Sequence, residues 1–351
     1  MRRMKTALAA ALTAAVALGA GTALADQVNL TGAGATFPYP IYSKWFDMYH
    51  EKTGVQINYQ SIGSGGGIQQ VKAGTVDFGA SDAALSNVKL KDLPRPIVHF
   101  PTVAGAVALA YNVPAIKEPL KLTSAALAGI YLGKITKWND PKIASSNPGV
   151  TLPAAPILVV HRSDGSGTTN IFTTYLSAVS PGWKELVGAN TSVSWPAGVG
   201  GKGNEGVAGV INQTPNSIGY VELAYAKQNK FTVALLQNKA GHFIAPSLES
   251  TTAAAKGAAP LLAKDVRTPI VNSPDPQAYP IAGLTFLLVY KNMSDPAKAQ
   301  ALVNFIDWAM HDGQEQVEAL DYARLPDSVV KVNEANLASL TVSGKPIVAA
   351  K

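Results

Sequence analysis

The chain reads as an α/β protein whose mostly parallel sheet is covered by helices on both faces. Short apolar runs alternate with segments of helical period, and glycine- or serine-rich loops follow the strands. Length agrees: beyond a 25-residue leader, 326 residues remain, enough for one large or two ordinary domains. No composition break marks a boundary between domains.

The leader comes first. Met1-Arg2-Arg3-Met4-Lys5 is cationic, residues 6–20 are uncharged and alanine-rich, and Ala23-Leu24-Ala25 before Asp26 fits a small-x-small cleavage site. This predicts a cleaved export signal over residues 1–25, since the apolar run is too short and weak for a membrane span. Next, Thr36-Phe37-Pro38 opens an amphipathic helix with Trp45, Phe46 and Tyr49 on its apolar face and Gly54 at its end. Val55-Gln56-Ile57-Asn58-Tyr59 alternates as a strand. It runs into Ser61-Ile62-Gly63-Ser64-Gly65-Gly66-Gly67 and a helix that extends through Lys72 and stops at Gly74. A strand over residues 76–80 delivers Ser81-Asp82. A buried strand over 157–160 feeds residues 161–168, and a helix follows over about 169–177. Residues 199–209 are a further glycine-rich stretch, and 216–221 read as a turn and strand.

Composition narrows the function classes. The chain has no cysteine, which excludes disulfides, thiolate metal sites and a lipidated N-terminal cysteine. The formal charge is +6, but without Arg2, Arg3 and Lys5 it falls to 26 basic against 23 acidic residues, a net of +3. Lysines are dispersed without an arginine-rich stripe, which argues against nucleic acid and leaves a small anion compatible. With an export signal and no lipid attachment residue, the expected compartment is a periplasm.

Three loop-to-helix junctions carry the candidate chemistry: Thr36-Phe37, Ser64-Gly65-Gly66 and Ser166-Gly167-Thr168. Helix N-termini expose unpaired N–H groups and a partial positive charge, so oxyanions are stabilised there; each junction alone reads equally as a turn or cap. Arg162 adds a planar fork of donors suited to two phosphate oxygens, and Asp164 stands close enough in sequence to steady it. A surface ion pair in a turn is the plainer reading of those two. Asp82 repels a bare anion but accepts a hydrogen bond from a protonated one, so it would favour phosphate over fully ionised sulfate. An Asp capping the next turn is its ordinary fate.

Taken together, these segments resemble the substrate-binding protein of the bacterial ABC-type high-affinity phosphate transport system. The resemblance runs from Leu30-Thr31-Gly32-Ala33-Gly34-Ala35-Thr36-Phe37-Pro38 through Ile62-Gly63-Ser64, Val76-Asp77-Phe78-Gly79-Ala80-Ser81-Asp82 and Asp164-Gly165-Ser166-Gly167-Thr168. It continues in Gly200-Gly201-Lys202-Gly203-Asn204, Ile218-Gly219-Tyr220-Val221-Glu222 and Asp321-Tyr322-Ala323-Arg324-Leu325-Pro326-Asp327. It implies a two-domain periplasmic binding protein fold of type II with the ligand cleft between domains. The implied first domain is discontinuous, residues 26–108 plus 285–351, and the second spans 109–284. Chain crossings are implied near residues 103–113 and 279–288.

The implied ligand is inorganic phosphate, with no cofactor, no metal and no catalysis, and the implied partner is an integral-membrane permease served by a monomer. Thr36, Phe37, Ser64 and Asp82 would line one wall of the cleft, and Arg162, Ser166, Gly167 and Thr168 the other, with Asp164 supporting Arg162. Three positions depart from the family's pattern. Gly65 stands in place of a second serine, Ala84 in place of proline, and His161 in place of another arginine, which would weaken the positive field of the cleft.

Rival readings fit less well. A serine hydrolase is disfavoured because neither Ser64 nor Ser166 sits in G-x-S-x-G: Ile62 and Asp164 occupy the first glycine positions. His50, His99, His161, His242 and His311 show no metal-ligand spacing, and no carboxylate cluster supports a metal-dependent phosphatase. Gly203 after Lys202 argues against a nucleotide loop. A binding protein for sulfate or a phosphonate is the closer rival, and Asp82 discriminates against it.

Overall fold

The structure is a computed structural model that describes residues 28–116 and 118–350, so the export signal expected over residues 1–25 lies outside the described residues. In chain order its strands begin β1 (Asn29–Gly34), β2 (Gln56–Ser61), β3 (Phe78–Ser81), β4 (Ile97–Asn112), β5 (Lys121–Leu122) and β6 (Leu158–Arg162). They continue with β7 (Val199–Gly201), β8 (Ser217–Glu222), β9 (Thr232–Val233), β10 (Leu235–Gln237), β11 (Phe243–Ile244) and β12 (Ala282–Tyr290).

The main sheet runs β2-β1-β3-β12-β4-β8-β6-β7, with β9 also on β4. Each outer group is parallel: β1 pairs with β2 and β3, and β6 pairs with β7 and β8. The two strands between them run against each other, β12 antiparallel to β3 and β4, and β4 antiparallel to β8, so β4 points the same way as β1–β3 and β12 the same way as β6–β8. The sheet is therefore mixed, parallel on its flanks and antiparallel at its centre. Residues 97–106 of β4 pair with β12 and residues 107–112 with β8, so one 16-residue strand serves both groups. The crossings expected at 103–113 and 279–288 fall on this strand and on the approach into β12. Every residue of β8 and of β12 is buried, as expected where helices cover both faces.

Helix ends follow local chemistry. The helix Tyr39–Thr53 buries Ile41, Tyr42, Trp45, Phe46 and Tyr49 and ends at Gly54, whose φ of 75° is the left-handed cap only glycine adopts cheaply. Ser64–Ala73 follows Gly63, and Gly167–Val179 is capped by Ser166, whose side chain accepts from the Thr169 N–H at 3.0 Å. Aromatic packing is split in two. Tyr42, Phe46, Tyr59, Phe78 and Phe305 pack beside the first group of strands, and Tyr131, Phe172, Trp183, Trp195 and Tyr220 beside the second.

A bulge interrupts the central pair. Thr285 lies opposite Val103 and Phe286 opposite Pro101, so Thr102 is an extra residue on β4. Pro101 has no N–H to give the ladder, which is why the register slips there.

Candidate functional site

The three junctions converge at the C-terminal ends of the parallel strands, where open α/β sheets place their ligands. One wall is built by the loop after β1 (Thr36, Phe37), the start of the helix Ser64–Ala73 and the residue after β3 (Asp82). The other is built by the end of β6 (Arg162) and the start of the helix Gly167–Val179. All eight residues are buried, Asp82 being the most exposed polar one at 5%. The walls touch: the Gly65 N–H donates to the Gly165 carbonyl at 2.8 Å. A Cβ placed on Gly167 would stand 2.5 Å from both Asp82 Oδ2 and Ser64 Oγ, so glycine alone allows this approach.

Among the described residues, the N–H groups of Thr36, Phe37, Ser64, Gly167 and Thr168 donate to no protein acceptor. They leave a cluster of unpaired donors, with their partial positive charge, at the three junctions. Ser166 differs from its neighbours. Its N–H is committed to the Thr191 carbonyl at 2.8 Å, so only its hydroxyl remains to serve a ligand.

Arg162 and Asp164 form the expected fork. Nε donates to Asp164 Oδ1 at 2.7 Å, and Nη2 reaches Oδ2 at 2.5 Å. Nη1 turns toward Thr168 Oγ1 at 3.4 Å. Burial raises the Asp164 pKa, but the bonds from Arg162, its charge and the Gly203 N–H outweigh burial and hold the carboxyl below its ordinary value. Asp164 is thus a fixed anion that cancels much of the Arg162 charge and fixes its plane.

Asp82 is held from two sides. Thr285 Oγ1 donates to its Oδ1 at 2.7 Å, and its own N–H donates to Ser64 Oγ at 3.1 Å. Burial pushes its pKa up to about 7, while the bond from Thr285, the Arg162 charge and Ser64 pull the other way.

Several residues with no role assigned from sequence complete the site. Asn204 Nδ2 donates to Thr36 Oγ1 at 2.7 Å and to Thr168 Oγ1 at 3.2 Å, tying one wall to the other. Its Oδ1 accepts the Glu222 N–H at 2.9 Å. Tyr225 donates to the Thr36 carbonyl at 2.7 Å and Tyr322 to the Phe37 carbonyl at 2.6 Å, so both peptide groups are clamped from behind. Tyr322 also lies 3.1 Å from Oε2 of Glu222, whose carboxyl burial holds well above its ordinary pKa. His161 stacks on Trp195 with ring centroids 4.9 Å apart, and burial lowers its pKa, so it adds no charge. Neither serine meets a histidine base: Ser64 Oγ accepts the Asp82 N–H and lies beside its carboxyl, and Ser166 Oγ accepts from Thr169. A cavity lined by Asp77, Arg95 and Lys298 lies at the opposite, N-terminal ends of β1 and β3 and shares no residue with the site.

Comparison with known proteins identifies this architecture. Residues 15–312 match the model of the family described as a PBP superfamily domain. The phosphate-binding protein PstS of Xylella fastidiosa (strain 9a5c) is 50% identical over 315 residues, covering 89% of this chain and 86% of that one. A protein of the same name from Methanocaldococcus jannaschii is 40% identical over 332 residues, covering 88% and 85%. Among solved structures, a high-affinity periplasmic phosphate-binding protein (PfluDING) bound with phosphate has a TM-score of 0.67 at 20% identity, covering 92% of this chain and 100% of that one. The chain belongs to the PBP superfamily and, within it, to the PstS family of phosphate-binding proteins.

Proposed function

We propose that this protein captures inorganic phosphate between its two walls and delivers it to the membrane permease of an ABC transporter. It binds its ligand without transforming it and uses no cofactor, as do the PstS relatives. The observation that carries the reading is a buried carboxylate, Asp82, facing the N-terminus of the helix Gly167–Val179 and the Arg162 fork. Donors alone would bind any oxyanion. An acceptor among them selects an anion that still carries a proton, which phosphate does at neutral pH and sulfate does not.

Thr36, Ser64, Ser166 and Thr168 offer hydroxyls, while Phe37 and Gly167 offer N–H groups. Arg162 pairs with the anion and is steadied by Asp164, and Asp82 accepts the ligand's proton. The chain divides into residues 26–108 plus 285–351 and residues 109–284, with β4 and the approach into β12 as the hinge. Ligand donors on both walls favour the closed arrangement, and the closed monomer docks on the permease. An exported, periplasmic protein fits this role. Among the described residues no helix is long and apolar enough to cross a membrane.

Titration calorimetry with phosphate, arsenate and sulfate tests the reading. Phosphate and arsenate bind tightly and sulfate weakly; equal affinity for sulfate overturns it. In Asp82→Asn, discrimination against sulfate relaxes, and unchanged discrimination removes Asp82 from the mechanism.

A further inference from the structure

Thr285 belongs to none of the motifs described above, because it lies inside the apolar run Ala282–Tyr290. Its hydroxyl is fully buried and is the side-chain donor that meets Asp82 Oδ1, at 2.7 Å. Phe286 pairs with Ser81 across β12 and β3, so Thr285 stands opposite Asp82 itself. The bulge fixes the other side of Thr285. The Thr102 hydroxyl donates to the Thr285 carbonyl at 3.3 Å, and the Tyr42 hydroxyl lies 2.9 Å from Thr102 Oγ1. Because the Thr102 proton is committed to that carbonyl, Tyr42 donates to Thr102, and the chain has one polarity.

We infer that Thr285 is a specificity-determining positioning residue: its hydroxyl occupies Asp82 Oδ1, so Oδ2 alone meets the anion and meets it as an acceptor. This rests on the role of Asp82 proposed above. A donor bound to Oδ1 stabilises the ionised carboxylate and keeps Asp82 from turning its second oxygen to the ligand. Without it, burial drives Asp82 toward the protonated form. A protonated Asp82 becomes a donor, and a donor at Oδ2 welcomes sulfate. Discrimination therefore depends on a residue placed behind the carboxylate.

Few other groups titrate near Asp82. Arg162 faces it from β6. The phenols of Tyr42, Tyr59, Tyr225 and Tyr322 are all raised by burial and stay neutral. His99 on β4, which accepts the Leu85 N–H, is pushed down by burial to about 4. Glu222, which meets Tyr322 behind the same wall, is also raised by burial, so between pH 5 and pH 8 it is the part of the change in sulfate binding that Asp82→Asn abolishes that reports on Asp82.

The test compares Thr285→Val, Thr285→Ser and Asp82→Asn with the parent protein, using phosphate and sulfate titrations from pH 5 to pH 8. In Thr285→Val the phosphate-to-sulfate ratio falls about tenfold, the scale of one hydrogen bond to a charged group. Sulfate binding, which strengthens as pH falls, does so about one pH unit higher than in the parent. Thr285→Ser restores both, which a merely structural contribution of the side chain would not explain. Circular dichroism and thermal unfolding establish that each variant is folded, and Thr285→Ala replaces Thr285→Val should the latter fail. If Asp82→Asn relaxes discrimination while Thr285→Val and Thr285→Ala keep the parental ratio and pH profile, the inference about Thr285 is overturned alone. If Asp82→Asn leaves discrimination intact, the reading of Asp82 fails and the inference falls with it.

Discussion

The two walls of the cleft reach the same end by opposite electrostatics. The wall after β6 contains a full cation, Arg162, but Asp164 binds it through two contacts and removes most of its net charge. The wall after β1 and β3 contains no cation, and its one charged group, Asp82, has the sign of the ligand. Neither wall relies on unbalanced charge. In the function proposed above, recognition rests on oriented N–H and O–H dipoles, with Arg162 supplying geometry and Asp82 supplying refusal. On that reading a protein with a small net charge needs no further cation to hold a multiply charged ion, and His161 can stay neutral in the same region.

Variants that unbalance one wall sharpen the contrast. Arg162→Ala leaves the half-buried Asp164 without its cation and removes the fork; phosphate affinity should fall by about 2–5 kcal/mol, read by calorimetry. Arg162→Lys should recover little of it, since an ammonium cannot span two oxygens. On the other wall, Asp82 has a folded pKa raised from 3.8 to about 7, so its favourable contribution to stability is complete below about 4. That contribution is lost as pH rises through 7. Ligand-free Asp82→Asn should therefore gain stability over the parent as pH rises from about 4 to 7, by on the order of 2–4 kcal/mol. Denaturant titrations at several pH values measure this, and a constant difference would refute it.

Smaller changes probe where the walls meet. In Gly167→Ala the new methyl strikes Asp82 Oδ2 and Ser64 Oγ, so the cleft shuts less completely and phosphate binding weakens by about 1–3 kcal/mol. Smallest is Ser64→Ala, which removes one hydroxyl and the acceptor for the Asp82 N–H, at about 0.5–1.5 kcal/mol in the same titration.

What was legible in the sequence was local. Gly54 and Gly74 stop their helices, Ser166 caps the next, and Arg162 meets Asp164 two residues on, because each of these depends on neighbours in the chain. The remainder depends on distance. Asn204 meets Thr36 across 168 residues, Thr285 meets Asp82 across 203, and Tyr322 meets Phe37 across 285. Asn204 and Tyr322 fell within recognisable segments, yet nothing adjacent marks which atoms they serve. Thr285 reads as one more β-branched residue in a buried strand. Strand direction was equally silent: an apolar run such as Ala282–Tyr290 has the same period whichever way it lies, so the antiparallel centre of the sheet emerges only from the register.

The contact between Gly65 and Gly165 has a consequence for speed as well as for fit. A Cβ on Gly65 would come within 2.9 Å of the Gly165 Cα, a backbone atom that cannot swing aside. Any side chain there acts as a doorstop, holding the jaws slightly ajar or forcing them along another path. A Gly65→Ser variant should keep the grip on the ion yet change the tempo of capture and release.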